Sequence, residues 1–107
     1  MPANFIKLDS LEALEVLFEQ SKQEPVVLFK HSMTCSISAG VYREVQSVEA
    51  DVHIVILQTA RPISNAIANK TGIRHESPQA LVLKAGRPVY YASHYDITAD
   101  DISASLL

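Results

Sequence analysis

Residues 26–45, VVLFKHSMTCSISAGVYREV, carry the clearest fold signal in this chain of 107 residues. The four apolar residues that begin at Val26 are typical of a strand buried on both faces of a sheet. Apolar side chains then return at helical spacing from Ser36 to about Glu49. The only cysteine, Cys35, therefore lies where a central strand ends and a helix begins.

The flanking sequence alternates strand and helix patterns. Short runs rich in apolar residues predict further strands at residues 4–8, 52–57, 79–84 and 88–93, the last two joined as a hairpin. Asp9 with Glu12 suggests a capping box that opens an amphipathic helix. Pro62 and Gly72 bracket a third helix, and Thr98 with Asp101 opens a fourth.

The predicted element order is β-α-β-α-β-α-β-β-α. Strands that alternate with helices pair in parallel through right-handed crossovers, and the late hairpin adds an antiparallel edge. We therefore expect an α/β fold with a mixed central β-sheet flanked by helices. Residues 1–107 suit a single domain, because this length can bury a core without disulfides or a structural metal.

Charge and hydropathy exclude several function classes. The net charge is −3, with 9 basic and 12 acidic residues dispersed along the chain, which disfavours a nucleic-acid partner. No basic cluster favours a membrane surface, and no apolar run approaches the length of a membrane span. The first residues lack the pattern of a secretory signal. We expect a cytoplasmic protein with no nucleic-acid or membrane partner.

The position of Cys35 favours a reactive thiol. The free N–H groups and the dipole at a helix N-terminus stabilise thiolate over thiol, and thiolate is the nucleophile in disulfide exchange. Lys30 and His31 precede the cysteine and are candidates to add positive potential. His31 is equally consistent with a proton shuttle or with an ordinary, partly exposed histidine at a strand end. Its neighbours Thr34 and Ser36 are polar, which argues against a cysteine that merely fills the core.

The order of elements resembles the thioredoxin-like layout over essentially the whole chain. Cys35-Ser36-Ile37-Ser38 stands where that family has its C-x-x-C pair, so that Ser38 replaces the second cysteine in a CxxS motif. Ser77-Pro78 stands at the position of the family's cis-proline. The resemblance implies that this step offers backbone groups to an incoming thiol substrate.

Two stretches resemble the monothiol bacilliredoxins, small bacterial proteins associated with bacillithiol. They are FKHSMTCSIS (residues 29–38) and SPQALVLKAGRPVYYASHYDIT (residues 77–98). Members of that family usually show T-C-P-I-S at the active site, and Ser36 here replaces the proline. Serine restores a backbone N–H beside the sulfur, a change that bears on redox potential and substrate preference.

The resemblance implies a monothiol thiol–disulfide oxidoreductase. Cys35 would remove bacillithiol, or a similar low-molecular-weight thiol, from S-thiolated client proteins, and a second small thiol would resolve the adduct. Ser38 excludes an internal dithiol cycle and can at most donate a hydrogen bond to the sulfur. No bound cofactor is expected, and bacillithiol is the expected co-substrate.

Other interpretations remain open. Monothiol glutaredoxins, which use glutathione, typically carry C-G-F-S and a G-G-x-D turn, and this chain has neither. A thioredoxin-like binding module with an incidental thiol, or a thiol-based sensor, would also have a single cysteine. His31 and His75 together with Cys35 would be the only plausible metal cluster, but their spacing matches no zinc motif, and no metal is expected. His94 to Asp96 read as a hydrogen-bonded strand end rather than a ligand contact.

Overall fold

A computed structural model describes residues 2–34 and 36–107. Within these residues the elements follow the predicted order, with a short 3₁₀ turn, His94–Asp96, between the last strand and the last helix. The strands are β1 (Asn4–Lys7), β2 (Val26–His31), β3 (Asp51–Ile56), β4 (Gln79–Lys84) and β5 (Arg87–Ser93). The helices are α1 (Leu11–Gln20), α2 (Ser36–Val45), α3 (Arg61–Thr71) and α4 (Ala99–Ser105).

The described strands form one mixed sheet in the order β1-β3-β2-β4-β5. Strand β3 pairs in parallel with both β1 and β2, whereas β4 runs antiparallel to β2 and β5. Strand β2 is thus central, with a neighbour on each side, which explains its unbroken apolar sequence. The cysteine turn follows the carboxyl end of this central strand.

Each face of the sheet packs against its own pair of helices. Phe29 of β2 packs with Val45 of α2 and Ile102 of α4, and all three are fully buried. On the other face, Leu28 packs with Leu14 of α1 and Ile67 of α3. Successive residues of β2 therefore serve opposite cores, because side chains alternate across a strand.

Local capping differs from the sequence prediction at α1. Ser10, not Asp9, is the N-cap, because its hydroxyl accepts the N–H of Ala13 at 3.0 Å. The predicted capping box is wrong, since the third helical position holds Ala13 rather than a glutamate. Thr98, in contrast, caps α4 as predicted by accepting the N–H of Asp101.

The boundaries of α2 and α3 also follow local chemistry. Helix α2 ends at Val45 rather than near Glu49, because the chain continues into turn-type hydrogen bonds such as Val48 N–H to Val45 O at 3.0 Å. Val48 remains fully buried in this turn, which is why the apolar pattern outlasts the helix. Gly72 ends α3 with a left-handed φ of 75°, as predicted.

The helices of the described residues are all too short or too polar to cross a bilayer.

Candidate active site around the cysteine turn

Cys35 itself lies outside the described residues, so its surroundings are built from its neighbours. Thr34 is the last described residue of the turn after β2, and Ser36 is the first residue of α2. Both of these flanking residues are exposed. The predicted nucleophile is thus bounded by an exposed turn at the carboxyl end of the central strand and by the start of a helix.

Gln58 clamps the turn that precedes the cysteine. Its Oε1 accepts the N–H of Met33 at 3.1 Å, and its Nε2 donates to the hydroxyls of Ser32 at 3.0 Å and Thr34 at 3.3 Å. Gln58 follows β3, which pairs in parallel with β2, so the turns after the two strands meet at one edge of the sheet. Sequence analysis missed this residue.

Ser38 is fully buried in the first turns of α2. Its hydroxyl oxygen accepts the N–H of Ser32 at 3.4 Å, which ties the helix back to the end of β2. The hydroxyl hydrogen is not used in this bond and remains available to an acceptor. The role predicted for Ser38, donation to the sulfur of Cys35, stays a prediction because the cysteine is outside the described residues.

The peptide bond of the Ser77–Pro78 step is cis. Residue Gln79, directly after it, pairs with Lys30 in the antiparallel ladder between β4 and β2, which sets Pro78 level with the end of β2. The carbonyl of Pro78 accepts the N–H of His94 at 3.0 Å, so His94 lies in a hydrogen-bonded strand end as predicted. The Ser77 Oγ is buried and has no hydrogen-bond partner among the described residues.

Lys30 is completely buried, which sequence analysis did not anticipate. Its ammonium group donates to the carbonyl oxygen of Ser64 at 3.2 Å and contacts Nδ1 of His75 at 3.2 Å. The hydroxyl of Ser64 also contacts the same His75 nitrogen, at 3.0 Å. Burial lowers the pKa of Lys30 to about 8, so the group is still mostly cationic at neutral pH.

His75 is the partly exposed member of this Lys30 cluster, which consists of Lys30, Ser64 and His75. Burial lowers the pKa of its imidazole, and the positive charges of Lys30 and Arg61 lower it further, against an opposing effect of Glu76. A neutral imidazole leaves Nδ1 free to accept from the ammonium group. The cluster therefore holds one positive charge beneath the site without a carboxylate partner among the bonds recorded for Lys30.

His31 points to the opposite face of the sheet. Its ring lies 5.8 Å from that of Phe29 and 5.2 Å from that of Tyr42, measured between centroids. Burial lowers the pKa of His31, so the ring is uncharged near pH 7. A lowered pKa disfavours the charged ring at neutral pH, so the positive potential suggested for His31 stays a prediction, whereas Lys30 is mostly cationic.

The two histidines considered as metal ligands are kept apart by the sheet. His75 bonds to α3 on one face, whereas His31 packs against α2 on the other. Among the described residues no group of three or more histidine, cysteine or acidic side chains is arranged to hold a metal ion.

Similarity to solved structures defines the class of protein. One structure, described as a thioredoxin-fold protein with a provisional oxidoreductase assignment, superposes with a TM-score of 0.85 at 35% sequence identity, covering 94% of this chain and 92% of its own. Thioredoxin NaTrxh from Nicotiana alata superposes with a TM-score of 0.73 at 16% identity, covering 98% of this chain and 91% of its own. Thioredoxin from Trypanosoma brucei brucei gives a TM-score of 0.74 at 10% identity, covering 96% and 88%. The chain has a thioredoxin fold.

The sequence also matches one particular family within the thioredoxin-fold proteins. The family model described as "Monothiol bacilliredoxin BrxC" matches residues 6–102. This protein belongs to the monothiol bacilliredoxin family, as its cysteine and proline motifs indicated. Family and fold together support a thiol redox role.

Proposed function

We propose that this protein is a monothiol thiol–disulfide oxidoreductase that uses Cys35 to remove bacillithiol from protein mixed disulfides. The observation that supports this most is the arrangement of three segments around the end of β2. The turn clamped by Gln58 and the start of α2 adjoin Cys35 in the chain, and the cis Ser77–Pro78 step directly precedes Gln79, which pairs with Lys30 of β2. S-thiolated client proteins and the small thiol are its partners, and no bound cofactor takes part.

The reaction balances with one protein thiol. The Cys35 thiolate attacks the small-thiol sulfur of the mixed disulfide, forming a disulfide between Cys35 and the small thiol and breaking the bond to the client. The client sulfur leaves as thiolate and takes up a proton from water. A second small-thiol thiolate attacks the small-thiol sulfur of the adduct, which frees Cys35 and yields the disulfide of two small thiols. The small thiol is thus the reductant.

The residues around the turn have different roles in this reaction. The N-terminus of α2 and the cationic Lys30 stabilise the attacking thiolate. Ser38 donates its hydroxyl hydrogen to the sulfur, and the N–H of Ser36 is a further donor. The backbone beside Pro78 aligns the incoming disulfide, and Thr34 holds the turn through its bond to Gln58.

The test is de-thiolation followed by intact mass. A model client protein carrying bacillithiol or glutathione as a mixed disulfide is mixed with wild type, with Cys35→Ser or with Ser103→Ala, a surface control on α4. We expect free client and a bacillithiol adduct on Cys35 for wild type and the control, a smaller yield with glutathione, and neither product with Cys35→Ser. Unmodified Cys35 with both substrates would contradict the proposal and leave a non-catalytic binding module.

A further inference from the structure

A cavity of about 310 Å³ opens between the end of β2 and helix α2. Its volume lies at the lower end of the range of small-molecule sites, roughly 300–1,000 Å³. Met33, two residues before Cys35, and Ala39, four residues after it, both belong to its wall. We call this space the α2 cavity. The described residues that line it are His31, Ser32, Met33, Ala39, Tyr42, Arg43 and Gln46.

The charge of the lining favours an anionic ligand. Arg43 contributes a guanidinium group, and none of the lining residues within the described chain is acidic. Glu44, the next residue along α2, is held elsewhere, because its carboxylate accepts the N–H of Ala99 at 2.9 Å. Among the described residues, Arg43 takes part in no ion pair. A cation of this kind recognises carboxylate or phosphate oxygens in a two-pronged geometry.

The guanidinium group is directed toward the cysteine end of the helix. Its Nη2 atom lies 4.0 Å from the position that a Cβ would take on Gly40, three residues closer to the start of α2. Long side chains on a helix lean toward its N-terminus, which accounts for this placement. The guanidinium group is thus displaced along α2 toward its N-terminal half, beside Gly40.

A second residue of the wall carries an unsatisfied polar atom. Nδ1 of His31, a residue that lines the cavity, is buried and has no hydrogen-bond partner among the described residues. Buried polar atoms are nearly always satisfied. Because this atom is closed off from solvent, a ligand in the cavity reaches it only when the ring turns. The hydroxyl of Ser32 and the amide of Gln46 add further polar groups to the wall, while Tyr42 and Ala39 supply apolar surface.

We propose that the α2 cavity binds the carboxylate-bearing part of the small thiol that is exchanged at Cys35, with Arg43 as the ion-pair partner and His31 as a hydrogen-bond partner. This inference rests on the proposed function and specifies which small thiols it accepts. The cavity holds the thiol while its sulfur is bonded to Cys35, and no additional chemical step is involved. Thiols without a carboxylate react at the same sulfur but lack the ion pair.

The first experiment compares thiols that differ in one carboxylate. A model client is loaded with N-acetylcysteine or with N-acetylcysteamine, and de-thiolation rates are measured for wild type, Arg43→Gln, Arg43→Lys and Arg87→Gln. Arg87 is an exposed arginine at the start of β5 and serves as the matched control. All variants change exposed residues, so folding is checked simply by circular dichroism.

We expect Arg43→Gln to slow removal of N-acetylcysteine by roughly threefold to fivefold, the range of a partly exposed ion pair. Removal of N-acetylcysteamine should not change, Arg43→Lys should retain part of the preference, and Arg87→Gln should behave as wild type. An equal effect of Arg43→Gln on both thiols, or no effect on either, overturns the proposal.

The second experiment separates binding from exchange. Cys35→Ser, which cannot exchange, is titrated with S-methylglutathione and with S-methyl-N-acetylcysteamine, and the ring signals of His31 and Tyr42 are followed by NMR. Shifts with the carboxylate ligand alone, lost in Cys35→Ser with Arg43→Gln, support the cavity even if no thiol exchange is found. Exchange at Cys35 without such shifts overturns the cavity and leaves the proposed function intact.

Discussion

Two neighbouring residues at the end of the central strand meet opposite environments. Lys30 faces α3, where a carbonyl oxygen and an imidazole nitrogen receive its ammonium group. His31 faces α2 between two aromatic rings, with its Nδ1 unpaired among the described residues. The side chain that carries a charge has hydrogen-bond partners, whereas the neutral ring lies at the wall of a cavity with one buried nitrogen unpaired among the described residues.

This difference shows that two adjacent residues of one strand can have different roles, because their side chains lie on opposite faces of the sheet. On the α3 face, a buried cation is fixed in place and can act on the site only through its field. On the α2 face, a neutral ring and a nearby arginine border open space that a ligand can enter. A chain in which the two residues were exchanged would lose both arrangements, because alternation sends each side chain to the other face.

The largest effect that we predict is on the free energy of unfolding when Lys30 is replaced. Lys30→Met keeps the volume of the side chain and removes its buried charge, so we expect the free energy of unfolding at pH 7 to rise by roughly 1 to 3 kcal/mol. Burial lowers the pKa of Lys30 from 10.5 to about 8. Between these values the unfolded chain binds more protons, and wild type therefore gains stability as pH rises through that window.

Urea unfolding of wild type and Lys30→Met at pH 7 and pH 10 measures this difference. The advantage of the variant should shrink at the higher pH, because Lys30 is then neutral in the folded protein. Lys22→Met, at an exposed lysine paired with Glu19, is the control and should show no such pH dependence. A Lys30→Met variant that is less stable than wild type at both pH values would mean that the Lys30 cluster stabilises the fold.

The same substitution should weaken the reaction while it stabilises the protein. Without the cation of Lys30 we expect the pKa of the Cys35 thiol to rise by roughly half a unit, because a positive charge at the end of β2 favours the thiolate. Alkylation rates of Cys35 between pH 5 and pH 9, read by intact mass, report this pKa directly. An unchanged alkylation profile would remove Lys30 from the roles proposed for the site.

A smaller effect on the free energy of unfolding is expected at His31, where the substitution removes a neutral polar group rather than a charge. His31→Phe retains a ring between Phe29 and Tyr42 and removes a buried nitrogen that has no partner among the described residues, so we expect a gain of about 1 kcal/mol at neutral pH. Burial lowers the pKa of His31, and the folded protein therefore resists protonation. Wild type should lose stability as pH falls below the ordinary histidine value of about 6.5, and the advantage of His31→Phe should grow there.

Thermal unfolding of both proteins from pH 5 to pH 8 tests this expectation. The His53→Gln variant, which removes another half-buried histidine on β3, shows how much of any pH dependence belongs to His31. A clear loss of stability in His31→Phe at pH 7 would mean that Nδ1 has a partner in solution, such as an ordered water.

The fold was predictable from the sequence because its signals are local. The apolar run that begins at Val26, the left-handed Gly72 and the cap at Thr98 each depend on a few adjacent residues. The prediction failed at α1, where Asp9 was expected to cap the helix. The helix begins one residue later than that cap requires, and the hydroxyl of Ser10 accepts the N–H of Ala13.

The candidate site was predictable only in part, because its contacts join distant residues. The bonds of Lys30 reach across 34 and 45 positions, and no periodicity shows that a lysine at a strand end will be buried. Gln58 contacts residues 24 to 26 positions earlier. The only signal for it was that β2 and β3 are parallel neighbours, since the residues after such strands meet at the same edge.

Substitutions of Gln58 have the smallest expected effect on stability. They also test most directly the turn after β2, which follows both Lys30 and His31. Gln58→Ala removes three hydrogen bonds from an exposed turn, so we expect less than about 1 kcal/mol of stability to be lost. De-thiolation should slow by roughly threefold to tenfold, because a looser turn aligns the nucleophile less often.

Gln58→Glu separates positioning from charge. It keeps the oxygen that accepts from Met33 but loses both donor bonds and adds a negative charge beside the turn, so the thiol pKa should rise in this variant and not in Gln58→Ala. Alkylation profiles measure the pKa, and single-turnover transfer measures the rate. Equal rates for wild type and Gln58→Ala would show that the turn holds its geometry without the clamp, and that Cys35 is positioned by α2 and the end of β2 alone.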